Sequence, residues 1–193
     1  MKKPLLIAEV KPQSPFREGK ERWSTLFTLA DRYGDMIAIH TDPRWGGSMG
    51  LLHAACRLTD KPVLAKGIHA TDDEVEEAFR CGADSVLVVG RLPGERIDIS
   101  RCMIEPTCVS EVVNINTFDA KTREKIRLVW NSRNLVNGGK KLLGIPDIQD
   151  IWSGWLCQAS NIESSEDVYE GVDAVLVGTY LAIYTAAERG KRS

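Results

Sequence analysis

One rhythm runs through this chain and limits how it can fold. A short aliphatic run, a polar turn and a helix-like stretch recur from end to end. The clearest runs are Leu5–Val10, Met36–His40, residues 62–66 and Ser85–Val89. Fainter ones fall at residues 112–115, 126–130 and 155–158 and at Ala174–Val177. They are near-continuously apolar rather than alternating, which marks strands covered on both faces, the condition of a parallel sheet. The segments between them fit helices crossing back over that sheet. Thr71-Asp72-Asp73-Glu74 offers a threonine cap and acids that suit a helix N-terminus. Val75, Ala78 and Phe79 then share one face, and Gly82 ends the helix. Ser165-Glu166-Asp167-Val168 repeats the device before the last run.

No Ser- or Gly-rich linker interrupts the pattern, so residues 1–193 read as one domain. Eight strand candidates with intervening helices predict a (β/α)8 barrel. A doubly wound sheet would often carry G-x-G-x-x-G in its first turn, and none is present. At 193 residues against a norm of roughly 250, the barrel must be stripped down. Its thinnest crossover is expected after Asn116, where Thr117 to Lys125 allows barely two turns of helix.

Twenty-five basic and 27 acidic residues give a net charge of -2, with no excess to draw nucleic acid or an anionic membrane. No apolar run reaches the roughly 18–20 residues of a membrane span. The basic start meets Glu9 too early for the apolar core of a signal peptide. Five cysteines, odd in number and without a C-x-x-C pair, read as reduced and mostly buried thiols of a cytoplasmic protein. His40, His53 and His69 lack zinc-ligand spacing, so no metal is expected.

In such barrels the chemistry lies where strands end. Strand one ends in Glu9 and Lys11, two residues apart and so on one side. Lys66 ends strand three, and Asn114 and Asn116 end the strand expected at 112–115. Strand six runs into Asn131-Ser132-Arg133-Asn134, strand seven into Ser160-Asn161 and strand eight into Gly178-Thr179. Singly, each charge reads as readily as a solvated surface group. Gathered, an acid, two lysines and an arginine suit an anionic substrate with a carbonyl or carboxylate. The small and hydroxyl residues after strands seven and eight suit a phosphate.

These residues resemble the indole-3-glycerol phosphate synthase family. Residues 7–15, I-A-E-V-K-P-Q-S-P, are similar to its I-A-E-x-K-x-x-S-P. Residues 41–48, T-D-P-R-W-G-G-S, resemble T-D/E-x-x-F-x-G-S, and residues 62–66 match P-V/I-L-x-K. Residues 81–87, 131–135 and 171–178 are similar to A/G-G-A-D-x-V-L, N-S/N-R-D-L and the final strand. They occur in family order over nearly the whole chain.

The resemblance implies a (β/α)8 lyase of tryptophan biosynthesis that needs no cofactor. It would close the ring of 1-(2-carboxyphenylamino)-1-deoxyribulose 5-phosphate and release carbon dioxide and water. It implies that Lys66 is the general acid, that Lys11 pairs with the substrate carboxylate and that Glu9 positions the lysines or exchanges protons with them. Asn131 and Arg133 would orient the substrate, and Ser14, Ser160, Gly178 and Thr179 would surround the phosphate. A lysine near another cation is expected to have a lowered pKa.

Four departures are expected. Asn114 stands for the family's strand-five glutamate of the dehydration step. Ala159-Ser160-Asn161 replaces E-S-G, and Gly67-Ile68 replaces Asp-Phe. The helical extension ahead of the barrel is expected to be missing. The uncovered end would then be the docking place of a second copy or a tryptophan-pathway partner. Glu105 and Glu111 could substitute for the lost carboxylate, but both are expected before strand five, facing away. Each lost acid or base costs about 10²–10⁴-fold, so a slow synthase is expected. The alternatives are a non-catalytic barrel that binds a phosphorylated or anthranilate-like ligand or a partner subunit, and altered phosphosugar chemistry.

Overall fold

The computed structural model describes residues 3–16, 18–134 and 138–190. Leu135, which ends the motif begun by Asn131, lies outside them. Eight parallel strands close into a barrel in sequence order: β1 (Leu5–Val10), β2 (Met36–His40), β3 (Val63–Lys66), β4 (Ser85–Val89), β5 (Cys102–Glu105), β6 (Arg127–Asn131), β7 (Leu156–Ala159) and β8 (Ala174–Val177). β8 pairs back onto β1, Leu5 with Ala174 through Ala8 with Val177, and so closes the ring. The helices are α1 (Trp23–Tyr33), α2 (Met49–Leu58), α3 (Asp72–Arg80), α4 (Val109–Asn116), α5 (Ala120–Arg123), α6 (Ile145–Gln149) and α7 (Leu181–Gly190). None of the described helices is long and apolar enough to cross a membrane.

The expected strand at 112–115 is the one misplaced element. Those residues belong to α4, and the fifth strand is Cys102-Met103-Ile104-Glu105, earlier in the chain. Val112 and Ile115 are buried at a spacing of three, while Val113 and Asn114 are exposed. That is a helical stripe, whatever the β-branched composition suggests. The economy of the barrel also lies elsewhere than expected. The link after β5 holds both α4 and α5, whereas β4 and β5 are joined by a single 3-10 turn, Ile99–Arg101. Ser165–Asp167 before β8 is likewise a 3-10 turn, with Ser164 as its cap.

Two cores divide the apolar residues. The outer one lies between strands and helices. The inner one fills the barrel with Ile7, Ala38, Leu64, Leu87, Met103, Val129, Cys157 and Leu176, one from each strand. α3 forms as its sequence predicts. Thr71 Oγ1 accepts from the Glu74 amide at 3.3 Å and Glu74 Oε2 accepts from the Thr71 amide at 3.1 Å. Val75 and Ala78 face the core, and Gly82 takes φ 103°.

One aspartate device fixes three strand starts. Asp35, Asp84 and Asp173, each just before an even-numbered strand, accept from the amides of Leu6, Val63 and Leu156 at 2.8, 2.8 and 2.9 Å. The glycine–aspartate motifs thus serve the stability face of the barrel, opposite the strand ends. Of the cysteines, Cys102 and Cys157 are buried, Cys56 and Cys81 half-buried and Cys108 exposed.

Candidate active site

Side chains alternate along a strand, so the residue two beyond each inner-core residue points into the barrel mouth. That step gives Glu9, His40, Lys66, Val89, Glu105, Asn131, Ala159 and Gly178, and all eight line one pocket at the C-terminal ends of the strands. It encloses about 770 Å³, counting its open mouth. Phe16, Trp45 and Ile68 supply apolar wall, and Lys11, Arg133, Ser160, Asn161 and Thr179 also line it.

Glu9 is the hub. It is 2% exposed. Its Oε1 accepts from His40 Nε2 at 2.5 Å and from Lys66 Nζ at 2.9 Å, and its Oε2 faces Lys11 Nζ at 3.2 Å. Burial raises the Glu9 pKa, but Lys11, Lys66 and His40 outweigh it and hold the carboxyl well below the ordinary range. Burial also opposes charge on Lys66; Glu9 and then Glu105 overcome it, so the Lys66 pKa is raised. The expected lowering falls on Lys11 instead, where burial dominates over Glu9, with Lys66 adding to it. Lys66 is therefore a firmly held ammonium. Withdrawing such charges from water costs several kcal/mol per ion, and apolar replacements are often neutral or stabilising. The cluster is thus poorly explained by stability.

Across the mouth, Glu105 ends β5 buried at 2% exposure, and its Oε1 accepts from Asn131 Nδ2 at 3.0 Å. This corrects two expectations. Glu105 faces the pocket from strand five, and Asn114 sits on the outer surface of α4, away from it. The strand-five carboxylate is present, and it is Glu105. Glu111 binds the amide of Thr107 near the start of α4. His40 went unassigned in the sequence, although it occupies the same inward phase as Glu9 and Lys66.

Asn131 Oδ1 accepts from the Arg133 amide at 3.0 Å and from Ser160 Oγ at 2.7 Å, so strands six and seven meet at one side chain. Ser160 and Asn161 both take left-handed backbone, φ 70° and 55°. Asparagine tolerates that region better than most residues, and Asn161 Nδ2 donates to Ser132 Oγ at 2.8 Å. The loop thus follows a path that suits glycine although glycine is absent. Gly178 and Thr179 face the same pocket. Ser14 lies next door, in a smaller recess shared with Lys11 and Thr179. Ala159 brings only a methyl group to the strand-seven position. Among the described residues, no group of three His, Cys, Asp or Glu side chains could hold a metal ion.

Fold and pocket define the class: a closed (β/α)8 barrel with a charged pocket where its strands end. No family model matches the chain. The chain is 31% identical over 206 aligned positions to indole-3-glycerol phosphate synthase of Methanopyrus kandleri, covering 91% of this chain and 76% of that protein. Its identity to indole-3-glycerol phosphate synthase of Deinococcus radiodurans is 30%, with 92% and 72% covered. A crystal structure of 3-hexulose-6-phosphate synthase matches with TM-score 0.65 at 17% identity over 97% of this chain and 98% of that one, a likeness of fold. The chain belongs to the indole-3-glycerol phosphate synthase family, as a divergent member.

Proposed function

We propose that this chain is an indole-3-glycerol phosphate synthase acting on 1-(2-carboxyphenylamino)-1-deoxyribulose 5-phosphate. The observation that carries the reading is the pocket's two-sided charge, with Glu9, Lys11 and Lys66 on one side and Glu105 with Asn131 across from them. The first step needs a proton donor at the ribulose carbonyl. The ring carbon bearing the carboxylate bonds to the carbonyl carbon, and the oxygen takes a proton from the Lys66 ammonium. Lys66 enters the step as the ammonium that Glu9 holds in place, the charged form a proton donor needs. Lys11 neutralises the substrate carboxylate until it departs as carbon dioxide, its bonding pair returning to the ring. The new hydroxyl then leaves as water while the adjacent carbon loses a proton, and Glu105 is the carboxylate assigned to that exchange. Arg133 and Asn131 orient the substrate. Ser160, Gly178 and Thr179, with Ser14 behind them, take the phosphate.

Incubation of the purified chain with this substrate, followed by indole fluorescence, tests the reading. Turnover well above a Lys66→Ala control is expected, and equal rates would refute it. Ala159 favours a second reading, binding without turnover, since it leaves strand seven without a carboxylate. Calorimetric binding of a product analogue by a chain that turns nothing over would support that one.

A further inference from the structure

We infer that His40 is a positioning residue for the proton-donating side of the pocket, fixing the Glu9 carboxylate between strands one and three so that it holds Lys66 in place. The inference rests on the synthase reading for its kinetic arm only.

The topology puts His40 where such a group must stand. β2 lies between β1 and β3, and His40 is in register with Lys66. The Glu9 and Lys66 side chains therefore meet beside the imidazole. His40 Nε2 reaches Glu9 Oε1 at 2.5 Å, the same oxygen that takes Lys66 at 2.9 Å. A carboxylate buried this deeply needs its lone pairs occupied. A third cation there would compete with Lys66 for the single negative charge. A neutral N–H donor occupies the oxygen without that competition.

The surroundings keep His40 neutral and still. Its side chain is 4% exposed, and its Nδ1 is buried with no hydrogen-bond partner among the described residues. An imidazolium would bury a second N–H with nothing to receive it. Trp45 stacks on the ring at 5.5 Å between centroids and 7° between planes. Trp45 is itself held by the 3-10 turn Pro43–Trp45, whose cap Asp42 accepts from the Arg44 amide, and by the Arg44 guanidinium at 4.9 Å from its ring. Nε2 faces a carboxylate and Nδ1 has no hydrogen-bond partner among the described residues, which assigns the proton to Nε2. The groups facing His40 are Glu9, Lys11 and Lys66, with Asp42 close enough to be affected by it.

The test combines spectroscopy and kinetics. Long-range proton–nitrogen NMR on the whole chain, which has three histidines, assigns the His40 signals by their loss in His40→Gln. A neutral ring protonated at Nε2 at pH 7 is expected. An imidazolium or an Nδ1–H ring would overturn the inference. With the substrate named above, His40→Leu should lower kcat roughly 10- to 100-fold, the range for a hydrogen bond lost from a buried charge, with KM little changed. His40→Gln, which keeps an N–H donor, should recover most of that loss. An unchanged kcat in His40→Leu, or equal losses in both variants, would overturn it. The NMR arm needs no turnover, so the expected ring in an inactive chain would refute the synthase reading and uphold the placement of His40.

Discussion

Replacing Gly178 by alanine should unhook the Glu9 carboxylate. A β-carbon at position 178 would lie 1.6 Å from Glu9 Oε2 and 2.6 Å from its Cδ, where ordinary contact begins near 3.4 Å. Backbone at the end of β8 cannot yield that much, so the carboxylate must retreat by about 2 Å. Oε2 then leaves Lys11, now at 3.2 Å, and Oε1 leaves Lys66 and His40, now at 2.9 and 2.5 Å. Breaking a buried ion pair costs about 3–5 kcal/mol, and relaxation around a mobile carboxylate places the expected loss near the lower end. For a chain of this size about 3 kcal/mol lowers Tm by roughly 6–12 °C. Turnover should fall about 100-fold or more, since a displacement of this size disturbs the reacting geometry. The assay is urea unfolding of a four-protein cycle: wild type, Gly178→Ala, Glu9→Ala and the double variant. Without the Glu9 carboxylate the nearest remaining Glu9 atom is its Cβ at 3.2 Å, and the alanine should then cost less than about 1 kcal/mol. Equal costs of Gly178→Ala in both backgrounds would refute the steric argument.

Other outcomes follow from the same geometry. Glu105→Gln keeps an acceptor for Asn131 but loses the charge, and kcat should fall about 10²–10⁴-fold with the fold intact. Asn114→Ala, on the outer face of α4, should leave steady-state rates unchanged. Burial pushes the His40 pKa from 6.5 down to about 4, against the pull of Glu9. The unfolded chain therefore binds one more proton between those values, and stability should fall as pH drops from 6.5 towards 4, by up to about 3 kcal/mol. Urea midpoints across that window should fall less in His40→Gln; an equal fall would contradict the assignment. Thr71→Ala removes the α3 cap and should cost about 1 kcal/mol by urea unfolding, with activity untouched.

Seven of the eight strands were legible as aliphatic runs, because a parallel strand buried on both faces leaves little room for polar residues. The fifth failed for the same physical reason. Cys102-Met103-Ile104-Glu105 is four residues long, ends in a buried acid and follows a link with no α-helix, so neither composition nor rhythm marks it. Val112-Val113-Asn114-Ile115 looks more strand-like, yet Val112 and Ile115 are buried at helical spacing. That single exchange hid Glu105. Glu9, Lys11, Lys66 and Asn131 were legible because polar residues at strand ends have few other reasons to interrupt an apolar run. His40 was not, since one histidine at a strand end says nothing until its inward phase is counted from Ala38. The pairing of Glu9 with three donors, and the fit of Gly178 beside it, depend on strands distant in sequence and only the closed barrel brings them together.

A crystal structure of the chain with bound indole-glycerol phosphate tests whether the ring of residues from Glu9 to Gly178 is the proposed synthase site. The phosphate should rest between Ser160–Asn161 and Gly178–Thr179, with the indole between Lys66 and Glu105 and within reach of both. Product bound elsewhere, or a pocket in which Lys66 and Glu105 face away from it, would contradict the account.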